Sequence, residues 1–212
     1  MKKAVLFDFW GTLVQQGAYS PLKQTYRLMR PQMVFGEFVE KFERAVMTKL
    51  YDDQALMFRD AFEAFGLRAP DWVIEKLIGI WNKNKLLAKL YPDTMQALEM
   101  LKSRGIKTAI VSNTPKLSVE GLLEKFGFDK FFDAVCFSYE TGLLKTDAEM
   151  FDIVLEKLGV GKEDAVMVGD SLETDIVGAE KAGIMAVLID RKGTRDYKNK
   201  IKSLVEIENF LG

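Results

Sequence analysis

The sequence predicts an α/β protein: a doubly wound, mostly parallel, Rossmann-like sheet with a second, smaller helical domain inserted near its start. Three observations carry this expectation. Short, continuously apolar runs recur along the chain, as strands buried on both faces of a parallel sheet do. Segments with helical spacing alternate with those runs from residue 92 onwards. Polar residues able to do chemistry stand at or just after the ends of the runs, at the edge where open parallel sheets bind ligands.

The elements follow in order. Ala4-Val5-Leu6-Phe7 is the first strand and ends at Asp8. From 14 to 91 the rhythm breaks: Phe38, Val39, Phe42, Ala45 and Val46, then Ala61, Phe62 and Phe65, have helical spacing, and no strand pattern appears. Residues 14–91 therefore read as a helical insertion with its own small core, leaving 1–13 plus 92–212 as the sheet domain. A helix over 94–104 is stopped by Gly105, and the β-branched strand 107–111 follows. Next come a helix over 117–126, stopped near Gly127, and a strand over 134–138. Phe151, Val154, Leu155 and Leu158 share one face of a helix over 147–158, which Asp147 can cap and Gly159 closes. The apolar runs 165–168 and 185–189 flank a helix over 174–182.

At 212 residues the chain can bury one good core, or a core plus a small module. A net charge of −1 gives no reason to expect nucleic acid or a membrane surface as partner. No window nears the roughly 18 apolar residues of a membrane span, and the chain enters its first strand at once. The single cysteine, Cys136, falls in a strand and reads as a small buried hydrophobe. With no disulfide possible within one chain, a cytoplasmic location is expected. Abundant Lys and Glu with few Asn, Gln and Cys is a thermophile-like composition. The sequence has 0 histidines, which removes the commonest general base, the commonest metal ligand and every histidine-based triad. Catalysis must then run on carboxylates, lysines, hydroxyls and a metal.

Asp8 is the most informative residue. A carboxylate at the end of a buried strand is costly unless it is paired, bound to a metal, or used. Gly11 lets the chain turn away, and Thr12 leaves a hydroxyl nearby. Ser112-Asn113-Thr114, Lys145, and Gly169-Asp170-Ser171 with Asp175 beyond stand at equivalent places after later strands. Each alone has an ordinary use: Ser112 as a turn cap, Lys145 as a solvated charge, Asp170 as a helix N-cap. Their joint recurrence at one sheet edge favours a single site. Gly159-Val160-Gly161-Lys162 lacks the spacing of a phosphate-binding P-loop and reads as a helix end leading to a strand.

These residues, in this order, resemble the haloacid dehalogenase (HAD) superfamily of hydrolases. Asp8-Phe9-Trp10-Gly11-Thr12 matches the first motif, Ser112 the second, Lys145 the third and Gly169 to Asp175 the fourth; the helical insertion matches that family's cap. The resemblance implies Asp8 as nucleophile, forming an aspartyl intermediate that water hydrolyses. It implies Ser112, Asn113, Thr12 and Lys145 around the substrate, Lys145 also acting in catalysis by neutralising charge. It implies Mg2+ held by Asp8, Asp170 and the Trp10 carbonyl, with Asp175 in an outer shell orienting Lys145 or a metal-bound water. The partner would be a small-molecule substrate and the protein a monomer or homodimer, with Arg27, Arg30, Arg44 and Arg59 as candidate grips on a substrate anion.

Two positions depart from the family pattern. Phosphatases of the family usually carry a second aspartate where this chain has Trp10, which protonates the leaving oxygen and contributes about 10²–10⁴-fold. Tryptophan cannot do this. Haloacid dehalogenases usually have tyrosine there and work without metal; the phosphonate-cleaving branch has alanine and uses a cap lysine, for which Lys41 or Lys49 would have to serve. The retained Asp170 favours a metal and phosphoryl chemistry, because a second carboxylate beside Asp8 would repel a carboxylate substrate unless a cation bridges them. A 2-haloacid dehalogenase, or a degenerate binding or regulatory member, are the alternatives. Thr146 replaces a frequent proline, with little consequence expected.

Overall fold

The computed structural model describes residues 1–17 and 20–212. β1 (Ala4–Phe7) has no exposed surface along its length, and its alternating side chains enter two different cores. Val5 and Phe7 pack with Leu98, Val119 and Leu204 on one side, while Ala4 and Leu6 pack with Phe151, Val154 and Ile176 on the other. That two-sided burial explains the unbroken apolar run.

After β1 the chain makes four helices: α1 (Pro21–Met29), α2 (Phe35–Val46), α3 (Gln54–Ala64) and α4 (Asp71–Leu86). Ser20 caps α1 by accepting from the Lys23 amide, ahead of Pro21, and Asp53 caps α3 by accepting from Ala55 N at 2.7 Å. The aromatic stripes expected to form a local core do so: Phe38, Phe42, Phe58, Phe62, Leu77 and Trp81 cluster together. The polar end of the Trp81 ring is satisfied, since its Nε1 donates to Thr25 Oγ1 at 3.0 Å. Val14 and Leu90 form an antiparallel bridge, so the outgoing and returning segments run side by side.

α5 (Thr94–Ser103) leads to β2 (Lys107–Ser112), which includes Ser112 as its last residue. Then follow α6 (Lys116–Val119), α7 (Leu122–Lys125), β3 (Ala134–Phe137), α8 (Ser138–Thr141) and α9 (Glu149–Leu158). β4 (Ala165–Gly169), α10 (Val177–Lys181), β5 (Met185–Ile189) and β6 (Lys200–Ile201) complete the sheet. The strand order is β3-β2-β1-β4-β5-β6, all parallel. Chain order reverses between β1 and β4, so their C-terminal ends flank the crevice where this architecture binds ligands.

Several local expectations need correction. The helix over 117–126 is two short ones, because Glu120 leaves helical geometry and Gly121 sits at φ +76°. The strand over 134–138 stops at Phe137, and Ser138 opens α8. The helix over 174–182 is a wide π-type turn from Leu172 to Ile176 followed by α10; both Asp175 N and Ile176 N donate to Ser171 O. Asp147 does not cap α9, whose N-cap is Ala148 without a side-chain bond. Its carboxylate instead accepts from Leu144 N at 2.9 Å and pairs with Arg44 of α2 at 2.5 Å. β6 and the 3-10 segment Leu204–Phe210 carry too weak a pattern to be read from sequence.

Candidate active site

Asp8 follows β1 directly, and its amide donates to the Val168 carbonyl at 2.9 Å, continuing the sheet pairing one residue further. The carboxylate is therefore fixed at the switch point, and only 4% of the residue is exposed. Its Oδ1 accepts from Lys145 Nζ at 2.6 Å and lies 3.5 Å from Ser112 Oγ; its Oδ2 accepts from Thr12 Oγ1 at 3.1 Å. Thr12, expected at the substrate, is instead wholly buried and holds Asp8 in place; it is not part of the cavity wall.

Lys145 reaches this point from the loop before α9. Its backbone amide donates to Asn113 Oδ1 at 2.9 Å, and its ammonium pairs with Asp175 Oδ1 at 2.5 Å as well as with Asp8. The loop packs against α10 at Gly178, where a Cβ would lie 2.0 Å from the Lys145 carbonyl oxygen. Asp175 is itself fixed by the wide turn, with Oδ2 accepting from Ser171 N at 3.0 Å. Asp170 stands at the end of β4, where Arg195 donates to its carbonyl oxygen and also to that of Ile189. Gly11 passes over Asp170 at φ +91°; a Cβ there would sit 2.4 Å from Asp170 Oδ2. Only glycine fits both the backbone angle and that approach.

One carboxylate oxygen from each of Asp8, Asp170 and Asp175 lies within 4.8 Å of the others. Three acids thus face one ammonium. Burial pushes the Asp8 carboxyl up to about 6, although Lys145 pulls it down. Burial, then the charges of Asp8 and Asp175, push Asp170 up to about 8. Burial alone would lower the Lys145 ammonium, but Asp175 and Asp8 hold it above the usual lysine range. The donor set is hard oxygen, and when all three acids are ionised one ammonium leaves two negative charges unbalanced, which fits a divalent cation such as Mg2+.

The site opens into a cavity of about 540 Å³ between the sheet edge and the helices. Asp8, Trp10, Ser112, Asn113, Lys145 and Asp170 all line it, as does Asp175. The Trp10 ring packs edge-on against Phe9 at 5.2 Å, and its carbonyl accepts from Gln16 Nε2 at 3.3 Å. None of Arg27, Arg30, Arg44 and Arg59 is in the cavity wall; Arg44 pairs with Asp147 and Arg59 with Asp71. Lys41 lies over the Phe65 ring and Lys49 is exposed, both outside the wall; Lys23 and Lys85 are the helical lysines that line it.

Glu43 of α2 escaped the sequence reading. It is 7% exposed, lines the cavity, and accepts from Asn113 Nδ2 at 2.8 Å. Burial pushes it up to about 7, against the Asn113 hydrogen bond. Its signal was available: Val39, Glu43 and Met47 recur at helical spacing, an acid on an otherwise apolar face. Arg195 was missed because it acts from a loop with no periodic pattern.

Fold and site together define a hydrolase built on a Rossmann-like core, with its polar residues gathered at the switch point. Residues 2–183 match the family model described as haloacid dehalogenase-like hydrolase, and the chain belongs to that family. It is 31% identical over 204 residues to ribulose-1,5-bisphosphate 5-phosphatase of Halopiger xanaduensis, covering 90% of this chain and 85% of the relative. Among solved structures it is similar to a HAD phosphatase from Thermococcus onnurineus, at 31% identity and TM-score 0.65, covering 99% of this chain and 98% of that one. The L-2-haloacid dehalogenase from Xanthobacter autotrophicus shares the fold at TM-score 0.69 and 20% identity, over 100% of this chain and 98% of that one. Among the described residues no helix is long and apolar enough to cross a membrane.

Proposed function

We propose that this chain is a Mg2+-dependent phosphohydrolase of small phosphorylated metabolites, with Asp8 as nucleophile and residues 14–91 as a cap over the site. The observation that carries this reading is the convergence of Asp8, Asp170 and Asp175 against the single ammonium of Lys145. A metal-free dehalogenase has no use for that surplus of acid, since it would repel the substrate carboxylate. The phosphatase names of similar proteins, including one acting on a sugar bisphosphate, support the same direction.

Asp8 and Asp170, with the Trp10 carbonyl, would hold the cation. When bound, it would neutralise charge on the phosphoryl oxygens and let an anionic nucleophile approach. Thr12 on Oδ2 and Lys145 on Oδ1 hold the Asp8 carboxylate in one orientation at the cavity wall. As the Asp8 oxygen bonds to phosphorus, the ester oxygen leaves on the opposite side, towards the helices. Ser112 and Asn113 donate to the transferring group, and Lys145 balances its charge. Water then attacks phosphorus, the bond to Asp8 breaks, and phosphate is released. Asp175 keeps Lys145 aimed at Asp8.

The test is phosphate release from p-nitrophenyl phosphate in Mg2+ and in EDTA. Turnover abolished by EDTA and restored by Mg2+ supports the reading. Metal-independent turnover overturns it, as does no phosphate release across a panel of esters. Chloride release from 2-chloropropionate without metal would replace it with the dehalogenase that Trp10 would allow.

A further inference from the structure

The proposed reaction leaves a proton unaccounted for. The ester oxygen departs as an alkoxide unless something protonates it, and Trp10 stands where the family usually supplies the acid. In an in-line displacement the leaving oxygen would lie opposite the Asp8 oxygen, towards the helical wall of the cavity, to which α2 contributes Val39, Glu40 and Glu43. Among the described residues six carboxyls line the cavity: Asp8, Asp170, Asp175, Glu40, Glu43 and Glu173. The first three converge on one another and on Lys145. Glu40 and Glu173 are exposed, and Glu173 accepts from Ser171 Oγ at 3.2 Å. Glu43 is the remaining acid, and it is buried and fixed by Asn113 at 2.8 Å.

We infer that Glu43, from the helical segment, is the general acid and base that replaces the residue lost at Trp10. The inference rests on the phosphohydrolase reading above. In the first step the Glu43 proton passes to the ester oxygen as its bond to phosphorus breaks and the bond from Asp8 forms. In the second, the Glu43 carboxylate takes a proton from water as that water attacks phosphorus, and the electron pair of the breaking bond returns to Asp8. The sum is ester plus water giving alcohol plus phosphate, with Glu43 protonated again.

Asn113 couples the two halves. Its Oδ1 accepts from Lys145 N while its Nδ2 donates to Glu43, so the acid is placed by the same residue that places the lysine. The charges facing Glu43 are Lys145, Asp175 and Asp8 from the sheet side, with Arg44 on its own helix. Lys23 of α1, Lys85 of α4, Glu40 of α2 and Glu173 share the cavity. A carboxyl that titrates at about 7 can give and retake a proton near neutrality.

The experiment compares the native protein with Glu43→Gln, which can keep the Asn113 contact but carries no transferable proton. Single-turnover release of the alcohol is followed from p-nitrophenyl phosphate, a good leaving group, and from 2-phosphoglycerol, a poor one. The expected loss is at most about 5-fold for the first and about 100-fold or more for the second. The fall in 2-phosphoglycerol rate as pH rises through about 7 should vanish in Glu43→Gln and persist, displaced in pH, in Glu43→Asp. Equal losses on both esters, or no loss on either, overturn the role of Glu43 while leaving the phosphohydrolase reading intact. If Glu43→Gln does not fold, the Glu43→Asp profile decides: a limb unmoved in pH, with rates lowered equally on both esters, overturns the role. No phosphate release by the native protein from any ester removes both.

Discussion

Lys145 Nζ bridges Asp8 Oδ1 and Asp175 Oδ1 at 2.6 and 2.5 Å, with all three side chains almost completely buried. A lone ammonium between two carboxylates both cancels charge and fixes geometry. Removing it leaves two buried acids without a cation between them, a situation that costs several kcal/mol. Lys145→Met should therefore lower unfolding free energy by about 3–5 kcal/mol in metal-free buffer, read by urea denaturation. Activity should fall at least about 1000-fold even where the variant is folded, and Lys145→Arg should not restore it, because a planar fork cannot occupy a point-charge site.

Metal and pH should act together on stability. Asp170 is raised to about 8 and Asp8 to about 6, so the metal-free fold favours their neutral forms. The sign follows: that contribution is whole below the ordinary carboxylate range and is lost as pH rises through about 6 and then about 8. Metal binding needs the ionised forms, so the gain in Tm from Mg2+ should be small at pH 5.5 and large at pH 8.5. Differential scanning calorimetry with and without Mg2+ at the two pH values checks this; an equal gain at both would contradict it.

Gly11→Ala places a methyl group against the Asp170 carboxylate and forces alanine to φ +91°. The loop must shift, at a cost of about 1–3 kcal/mol. Asp170 is also displaced from Asp8, so Mg2+ affinity should weaken by at least about 10-fold. Titration of metal-dependent turnover gives the affinity, and thermal unfolding gives the cost.

Arg44 of α2 and Asp147, in the loop before α9, pair at 2.5 Å, with Arg44 about half exposed. Such a pair contributes no more than about 1 kcal/mol. Arg44→Ala should leave global stability nearly unchanged yet raise KM several-fold, since the helices close the cavity less often. A double-mutant cycle with Asp147→Ala, read in KM, should show the coupling.

The apolar strands and the polar residues at their ends were legible because burial on both faces leaves an unbroken run and a carboxylate at its end stands out. Asp8 and Asp170 stand at such strand ends, whereas Lys145 and Asp175 were expected beside them from the family resemblance. Thr12 was misread because spacing shows that a hydroxyl is near Asp8, not whether it lies above or beneath it. The wide turn holding Asp175 depends on a shared carbonyl at Ser171, which no periodicity reports. Asp147 was read as a local cap, whereas its partner Arg44 lies about a hundred residues earlier and is found only through tertiary packing. Glu43 escaped because its pairing with Asn113, seventy residues later in the chain, exists only through tertiary packing.

β1 lies in the middle of the sheet, paired with β2 and β4, so Ala4 meets Lys107 on one side and Ala165 on the other. On a ribosome adding roughly 5–20 residues per second, the second partner emerges on the order of ten seconds after the strand itself. The apolar tetrapeptide of β1 has no strand beside it until β2 is made, and one of its edges stays unpaired until β4 follows, a hazard for association with other chains. The four helices need no such wait. Their cluster of Phe38, Phe42, Phe58, Leu77 and Trp81 is complete once α4 is made. Synthesis order thus favours a helical unit that closes first and stands beside the exposed strand, with the full sheet and the cavity at its edge completed last.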